Sequence, residues 1–206
     1  QGREFARLMR GEDHFSTTPR TRATVEAITR DDLAAFHRQY YHPGNFLFSA
    51  SGDIDTAAIL AELERRLDGW AAGAEAVPPV PAPDFTPEPG LYLVDKPDVN
   101  QGRVRIGHLG TTRDDPDRYK LLVMNDILGG GGFTSRITNR VRSDEGLAYS
   151  AYSIFPGGTY FTRTFVAAFQ SKSSTVLFAT QIVLEEMQKI ASEEVTDSEM
   201  ETAKNS

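Results

Sequence analysis

The stretch "LGGGGFTSRITNRVRSDEGLAYSAYSIF", residues 128–155, joins three unlike segments. Four glycines, Gly129 to Gly132, close a helical pattern; a short basic segment reaches Arg142; an apolar run then starts at Leu147. A phosphate-binding loop needs a glycine turn that follows a strand and leads into Lys-Ser/Thr at a helix start. Here the glycines follow a helical pattern that opens at Asp114-Asp115-Pro116 and runs to about Leu128, and no lysine follows before Lys172. The glycines therefore read as architecture: glycine supplies positive φ at a helix C-terminus and lets backbones approach closely.

Working outward, Ser135 to Arg142 reads as a short helix with Ile137 and Val141 inward. Leu147–Phe155 and Thr159–Phe169 read as strands, with Pro156-Gly157-Gly158 as a hairpin signal between them. An amphipathic helix is predicted from about Ser173 to Ala191, with the acidic pairs Glu185-Glu186 and Glu193-Glu194 on or beside a solvated face. Thr196-Asp197-Ser198-Glu199 is a capping box, opening a helix seven residues before the last one of this sequence. Upstream, Leu91–Asp95 and Gln101–Leu109 read as strands, and prolines at 78, 79, 81, 83, 87 and 89 block regular structure. That divides the chain into residues 1–76, a linker at 77–90, and residues 91–206.

In the first part, residues 1–24 are polar and without clear period. Thr29 and Asp32 cap a helix carrying Leu33, Phe36 and Tyr40, which His42-Pro43-Gly44-Asn45 stops. Phe46, Phe48 and Ala50 alternate as in a strand. Gly52 to Asp55 then turns the chain into a helix with Ile59, Leu60, Leu63, Leu67 and Trp70 along one side. The pattern is α+β, antiparallel sheet or sheets flanked by helices.

Composition bounds the function. The 206 residues are 39% hydrophobic and 25% charged, with a formal charge of −7, which argues against nucleic acid as a partner. No apolar run is long enough to span a bilayer. The absence of cysteine excludes disulfides and thiolate metal sites, and fits the bacterial cytoplasm or periplasm equally. The four histidines, His14, His37, His42 and His108, include no pair at the i+4 spacing that puts two imidazoles on one helical face, so no metal ligands are assigned. No G-x-S-x-G elbow is present. Arg142 and Tyr149 remain: a fixed planar cation and a phenolic donor suit a carbonyl that becomes an oxyanion. They could as well cap a helix and pack in a strand, and residue types alone favour that reading.

The order of residues adds to this. Leu128-Gly129-Gly130, Ser135-Arg136-Ile137, Arg142 and Gly146-Leu147-Ala148-Tyr149 closely resemble the second-domain signature of the pitrilysin/insulinase-type zinc metallopeptidases, including the mitochondrial-processing-peptidase branch. Tyr41, Pro43, Asn45, Gly52 and Asp53 resemble the end of that family's first domain, in register and on the correct side of the linker. The resemblance implies inverzincin-type α+β half-domains in a clamshell. It implies a zinc site of H-x-x-E-H plus a downstream glutamate in the first domain, whose central glutamate activates a water held by the zinc. It assigns to Arg142 and Tyr149 the grip on the substrate and the developing oxyanion. The zinc motif is absent from these residues, so no zinc is expected on this chain alone; zinc belongs to the full-length enzyme. The resemblance thus implies an excised piece, inactive alone, of an endopeptidase acting on peptides or small unfolded proteins, partnered by the remainder of its own chain. The alternative is a zinc-less scaffold or partner subunit that works beside a catalytic one. Sheet edges exposed by such an excision would also allow a homodimer.

Overall fold

The computed structural model describes all residues except 1, 72, 74, 75, 82 and 83. Strands β1 (Gln101–Leu109), β2 (Ala151–Ile154) and β3 (Thr164–Lys172) lie in the order β1-β3-β2. Both pairings are antiparallel: Gln101 faces Lys172 and Leu109 faces Thr164 on one side of β3, while Ala151 faces Phe169 and Ile154 faces Val166 on the other. Side chains two apart on a strand share a face, and Phe165, Ala167 and Phe169 of β3 enter the core together.

Eight α-helical segments complete the described residues: α1 (Gly2–Arg10), α2 (Arg22–Glu26), α3 (Arg30–Tyr40), α4 (Thr56–Leu67), α5 (Arg118–Asn125), α6 (Arg136–Thr138), α7 (Val176–Ser192) and α8 (Asp197–Asn205). The long α7 closes the core. Its Ala179, Ile182 and Val183 fall at helical spacing and meet Leu128, Ile137, Val141, Ala148 and Ala151. The same inner face carries Glu186, which is buried and ion-paired with Lys189 at 2.8 Å. This corrects the expected solvated face: Glu186 lies seven residues after Ala179, two full turns along the buried stripe.

The chain divides into two compact units, residues 19–81 and residues 1–18 with 82–206. In the larger unit α1 packs along β1, with Phe5 against the Arg105 guanidinium at 5.9 Å and Met9 buried. Residues 2–10, expected without period, are helical: Phe5, Leu8 and Met9 fall at i, i+3 and i+4 on one face. In the smaller unit Thr29 and Asp32 make a reciprocal capping box on α3, and Asp55 accepts from the amides of Ala57 and Ala58 at the start of α4. His37 stacks on Tyr41 and Phe46 meets Trp70 edge-on, both at 5.3 Å, so aromatic contacts tie α3 to the turn and to the end of α4.

Several expected strands take another form. Residues 46–50 and 91–95 carry no ladder hydrogen bonds among the described residues, because their alternation finds no neighbouring strand within the described residues. The predicted strand from Leu147 begins only at Ala151. The chain from β2 to β3 is not a tight hairpin either. Residues 155–163 make a longer connection in which the Gly158 carbonyl accepts from the Arg113 amide at 2.7 Å, so the glycines serve a bridge to Thr112 rather than a two-residue turn. The proline-rich residues 77–90 have neither helix nor strand where they are described; 82 and 83 lie outside the described residues.

Candidate functional site

The site is assembled by two departures from α-helical spacing. After α5 the backbone widens into a π turn at Asp126–Gly130, and after α6 it widens again at Asn139–Asp144. Such turns break the i→i+4 ladder and are enriched where function sits. The first brings Gly129 against β2 so closely that a Cβ there would collide with the backbone nitrogen of Ser153. Asn125 and Ser153 lock this contact, with the Ser153 hydroxyl donating to Asn125 Oδ1 at 2.8 Å. Gly132 then turns at φ +59, a conformation open to glycine at little cost, and starts the one-turn 3-10 helix Gly132–Thr134 that carries Phe133.

Ser135, fully buried, donates to the Gly132 carbonyl at 2.7 Å, and Thr138 donates to the Ala151 carbonyl at 2.8 Å. These bonds fix the loop and α6 against β2. The second π turn puts Val141 in the core and leaves Arg142 half-buried. Leu147 through Ser150 stays outside the ladder, tethered by the Leu147 amide to the Val141 carbonyl at 2.8 Å and by the Ser171 hydroxyl to the Leu147 carbonyl at 2.8 Å. Tyr149 consequently stands out into solvent, 84% exposed.

Arg142 and Tyr149, the two residues singled out in the sequence, come together: the guanidinium carbon lies over the Tyr149 ring, 4.7 Å from its centroid. The same carbon lies over Phe133 at 4.4 Å. Among the described residues Arg142 has no carboxylate within ion-pair distance and no side-chain hydrogen bond. An open depression of about 230 Å³ adjoins the pair, walled by Gly129, Gly130, Phe133, Thr138 and Tyr152. An unpaired guanidinium with aromatic cover can donate in its plane to a carbonyl or carboxylate entering this depression.

Phe133 was not distinguished by sequence reasoning. It lies nine residues before Arg142, and only its place at the end of the glycine run sets it apart as a large ring on a forced turn. A second feature also escaped: Glu199, which caps α8, forms a bidentate ion pair with Arg136 at 2.6 and 2.9 Å. The Arg136 guanidinium, assisted by the Thr196 amide and hydroxyl, holds the Glu199 carboxyl at about 2.

The histidines take separate places. His14 is buried beside Phe15 and Phe161, His108 stacks on Phe165 at 5.0 Å, and in the smaller unit His42 is buried with Asn45 at 3.0 Å. Among the described residues no three histidine, aspartate or glutamate side chains gather as metal ligands. The described residues thus do not fit a zinc site. No helix among them is long and apolar enough to cross a membrane.

Known proteins resemble this chain over most of its length. The family model described as the peptidase M16 inactive domain matches residues 27–206. An uncharacterised zinc protease of Streptomyces coelicolor is 28% identical over 181 residues, which cover 86% of this chain and 39% of that protein. Among solved structures, the peptidase M16 inactive domain from Pseudomonas fluorescens superimposes with a TM-score of 0.84 at 25% identity, covering 99% of this chain and 49% of that one. A protease from Helicobacter pylori shares the fold at a TM-score of 0.71 and 19% identity, covering 90% of this chain and 45% of that one. The chain therefore spans less than half the length of these relatives.

Proposed function

The chain belongs to the peptidase M16 inactive-domain family, and from that premise we propose that it is the substrate-gripping part of a zinc-dependent endopeptidase that hydrolyses peptides or small unfolded proteins. Residues 1–76 would close the first peptidase-like domain, and residues 91–206 would open the second. The observation that carries the reading is Arg142: a half-buried cation without a carboxylate partner among the described residues, over Tyr149 and beside an open depression.

The division of labour follows from what these side chains can do. Zinc, held by residues outside this chain, would supply the Lewis acid and the activated water that the hydrolysis needs. Arg142 would donate from its planar fork to a backbone carbonyl of the bound peptide, fixing its register. The Tyr149 hydroxyl would donate to the oxygen that gains charge as the scissile carbonyl becomes tetrahedral. Such a donor accelerates the reaction only if it binds the developing oxyanion more strongly than the ground-state carbonyl. The glycine wall of the depression adds no side chains, so an extended peptide could approach the backbone there.

In the whole protein, Tyr149→Phe should lower kcat for peptide cleavage by roughly 10- to 1000-fold, the scale of losing one oxyanion donor. An unchanged kcat would remove Tyr149 from the chemistry; a whole protein without peptidase activity would favour the scaffold reading.

A further inference from the structure

We propose that Phe133 is a positioning residue for Arg142, and that the glycine run exists to hold its ring as a fixed wall against the guanidinium. The inference rests on the reading of Arg142 as a substrate-binding group. Arginine carries a long, rotamer-rich side chain, so an unpaired guanidinium on a surface samples many positions. An ion pair would order it, but a carboxylate would also occupy the N–H fork that the substrate needs. An aromatic face orders the cation without taking a hydrogen bond, because the ring attracts it through its quadrupole and offers no acceptor lone pair.

The geometry points to Phe133 rather than Tyr149 as the fixed member. The guanidinium carbon lies 4.4 Å from the Phe133 centroid and 4.7 Å from that of Tyr149, while no ring contact joins the two aromatics among the described residues. Arg142 thus bridges two separate rings. Tyr149 extends from a segment outside the sheet and is 84% exposed. Phe133 sits on a one-turn helix pinned on both sides. Gly132 accepts from the buried Ser135 hydroxyl at 2.7 Å, and Thr134 donates to the Gly131 carbonyl at 2.8 Å. Gly132 itself turns at φ +59, and a side chain there would be strained. A phenylalanine two-thirds exposed on so constrained a turn has no core to fill; covering Arg142 gives its ring a role.

The test separates an aromatic face from mere bulk. Phe133→Tyr keeps the ring, Phe133→Leu keeps apolar volume without it, and Phe133→Ala removes both. In the whole protein, with a fluorogenic peptide as substrate, Phe133→Leu and Phe133→Ala should both lose roughly 3- to 30-fold in kcat/KM, and Phe133→Tyr should stay within about twofold. A leucine variant as active as the parent overturns the proposal. The second readout is independent of activity: the steady-state ¹⁵N–¹H NOE of the Arg142 Nε–H, identified by its loss in Arg142→Lys. It should be that of a rigid group in the parent and in Phe133→Tyr, and fall in the leucine and alanine variants. If Arg142→Ala leaves cleavage intact, the substrate-binding reading fails, and the NOE still decides whether Phe133 orders Arg142. If Arg142→Ala abolishes cleavage while the NOE stays high in Phe133→Leu, the positioning role alone fails.

Discussion

In the larger unit Leu128, Ile137, Val141, Ile182 and Val183 are closed to water, whereas in the smaller unit Leu33, Phe36, Leu47 and Phe48 stand half or fully exposed. Both units obey their local signals. Helices α3 and α8 begin at the same kind of reciprocal Thr-to-acid box, at Thr29–Asp32 and Thr196–Glu199. What separates them is the sheet. Strand β3 is paired along both edges and offers alternate residues to α7; residues 46–50 alternate similarly but meet no strand among the described residues, and Leu47 is 98% exposed. A capped helix is specified within a few residues. A core requires partners distant in sequence, and only the larger unit brings them together around a site.

The strongest way to sharpen this contrast is to separate chemistry from packing within the larger unit. Tyr149→Phe should depress turnover by the same roughly 10- to 1000-fold while leaving the unfolding free energy unchanged, since the ring is exposed. Equal losses in both measurements would break the distinction. Next comes the core. Ile137→Ala, at a site with no solvent exposure, should destabilise this unit by about 2–5 kcal/mol in denaturant titration. A cost under about 1 kcal/mol would show that the core can collapse around the lost atoms.

A smaller effect is expected at the Arg136–Glu199 pair. The carboxyl is held at about 2, below its ordinary 4.5, so its contribution is fully present above pH 4.5 and disappears as pH falls towards 2. Glu199→Gln should therefore cost about 0.5–1 kcal/mol near neutrality, discounted for partial exposure, and the gap to the parent should close in acid. A gap that widens on acidification would reverse the assignment. Smallest of all, Leu47→Ser in residues 1–206 should shift stability by less than about 0.5 kcal/mol, because the side chain gives up no burial. The same change in the whole protein reports directly on whether another segment covers it: a loss above about 2 kcal/mol would show that it does.

The sequence made some of this legible, and the physical reason is range. Thr29, Asp55 and Thr196 announce their helices because a cap is a contact over two or three residues. The span of β1 is legible because alternation is local, although the identity of its neighbour β3 is not. Arg142 and Tyr149 stand out through the order of residues around them, but their contact depends on Leu147–Ser150 leaving the sheet, and nothing in the apolar run marks that. Phe133 and the Arg136–Glu199 pair, 63 residues apart, are invisible to any periodicity. The burial of Glu186 opposed the usual preference of its side chain, which Lys189 one turn on makes tolerable.

The two π turns imply that the site is governed by length as much as by composition. Each residue of an α-helix advances about 100° around the axis. Deleting one residue between Asn139 and Arg142 would allow the backbone to regain regular α spacing, and would rotate the arginine by about that angle away from Phe133 and Tyr149. A substitution at an exposed position of the turn changes one side chain; an insertion or deletion redirects every side chain beyond it. Proteins sharing this arrangement should therefore keep the number of residues between Ser135 and Gly146 constant, with variation confined to exposed positions such as Ser143, Asp144 and Glu145.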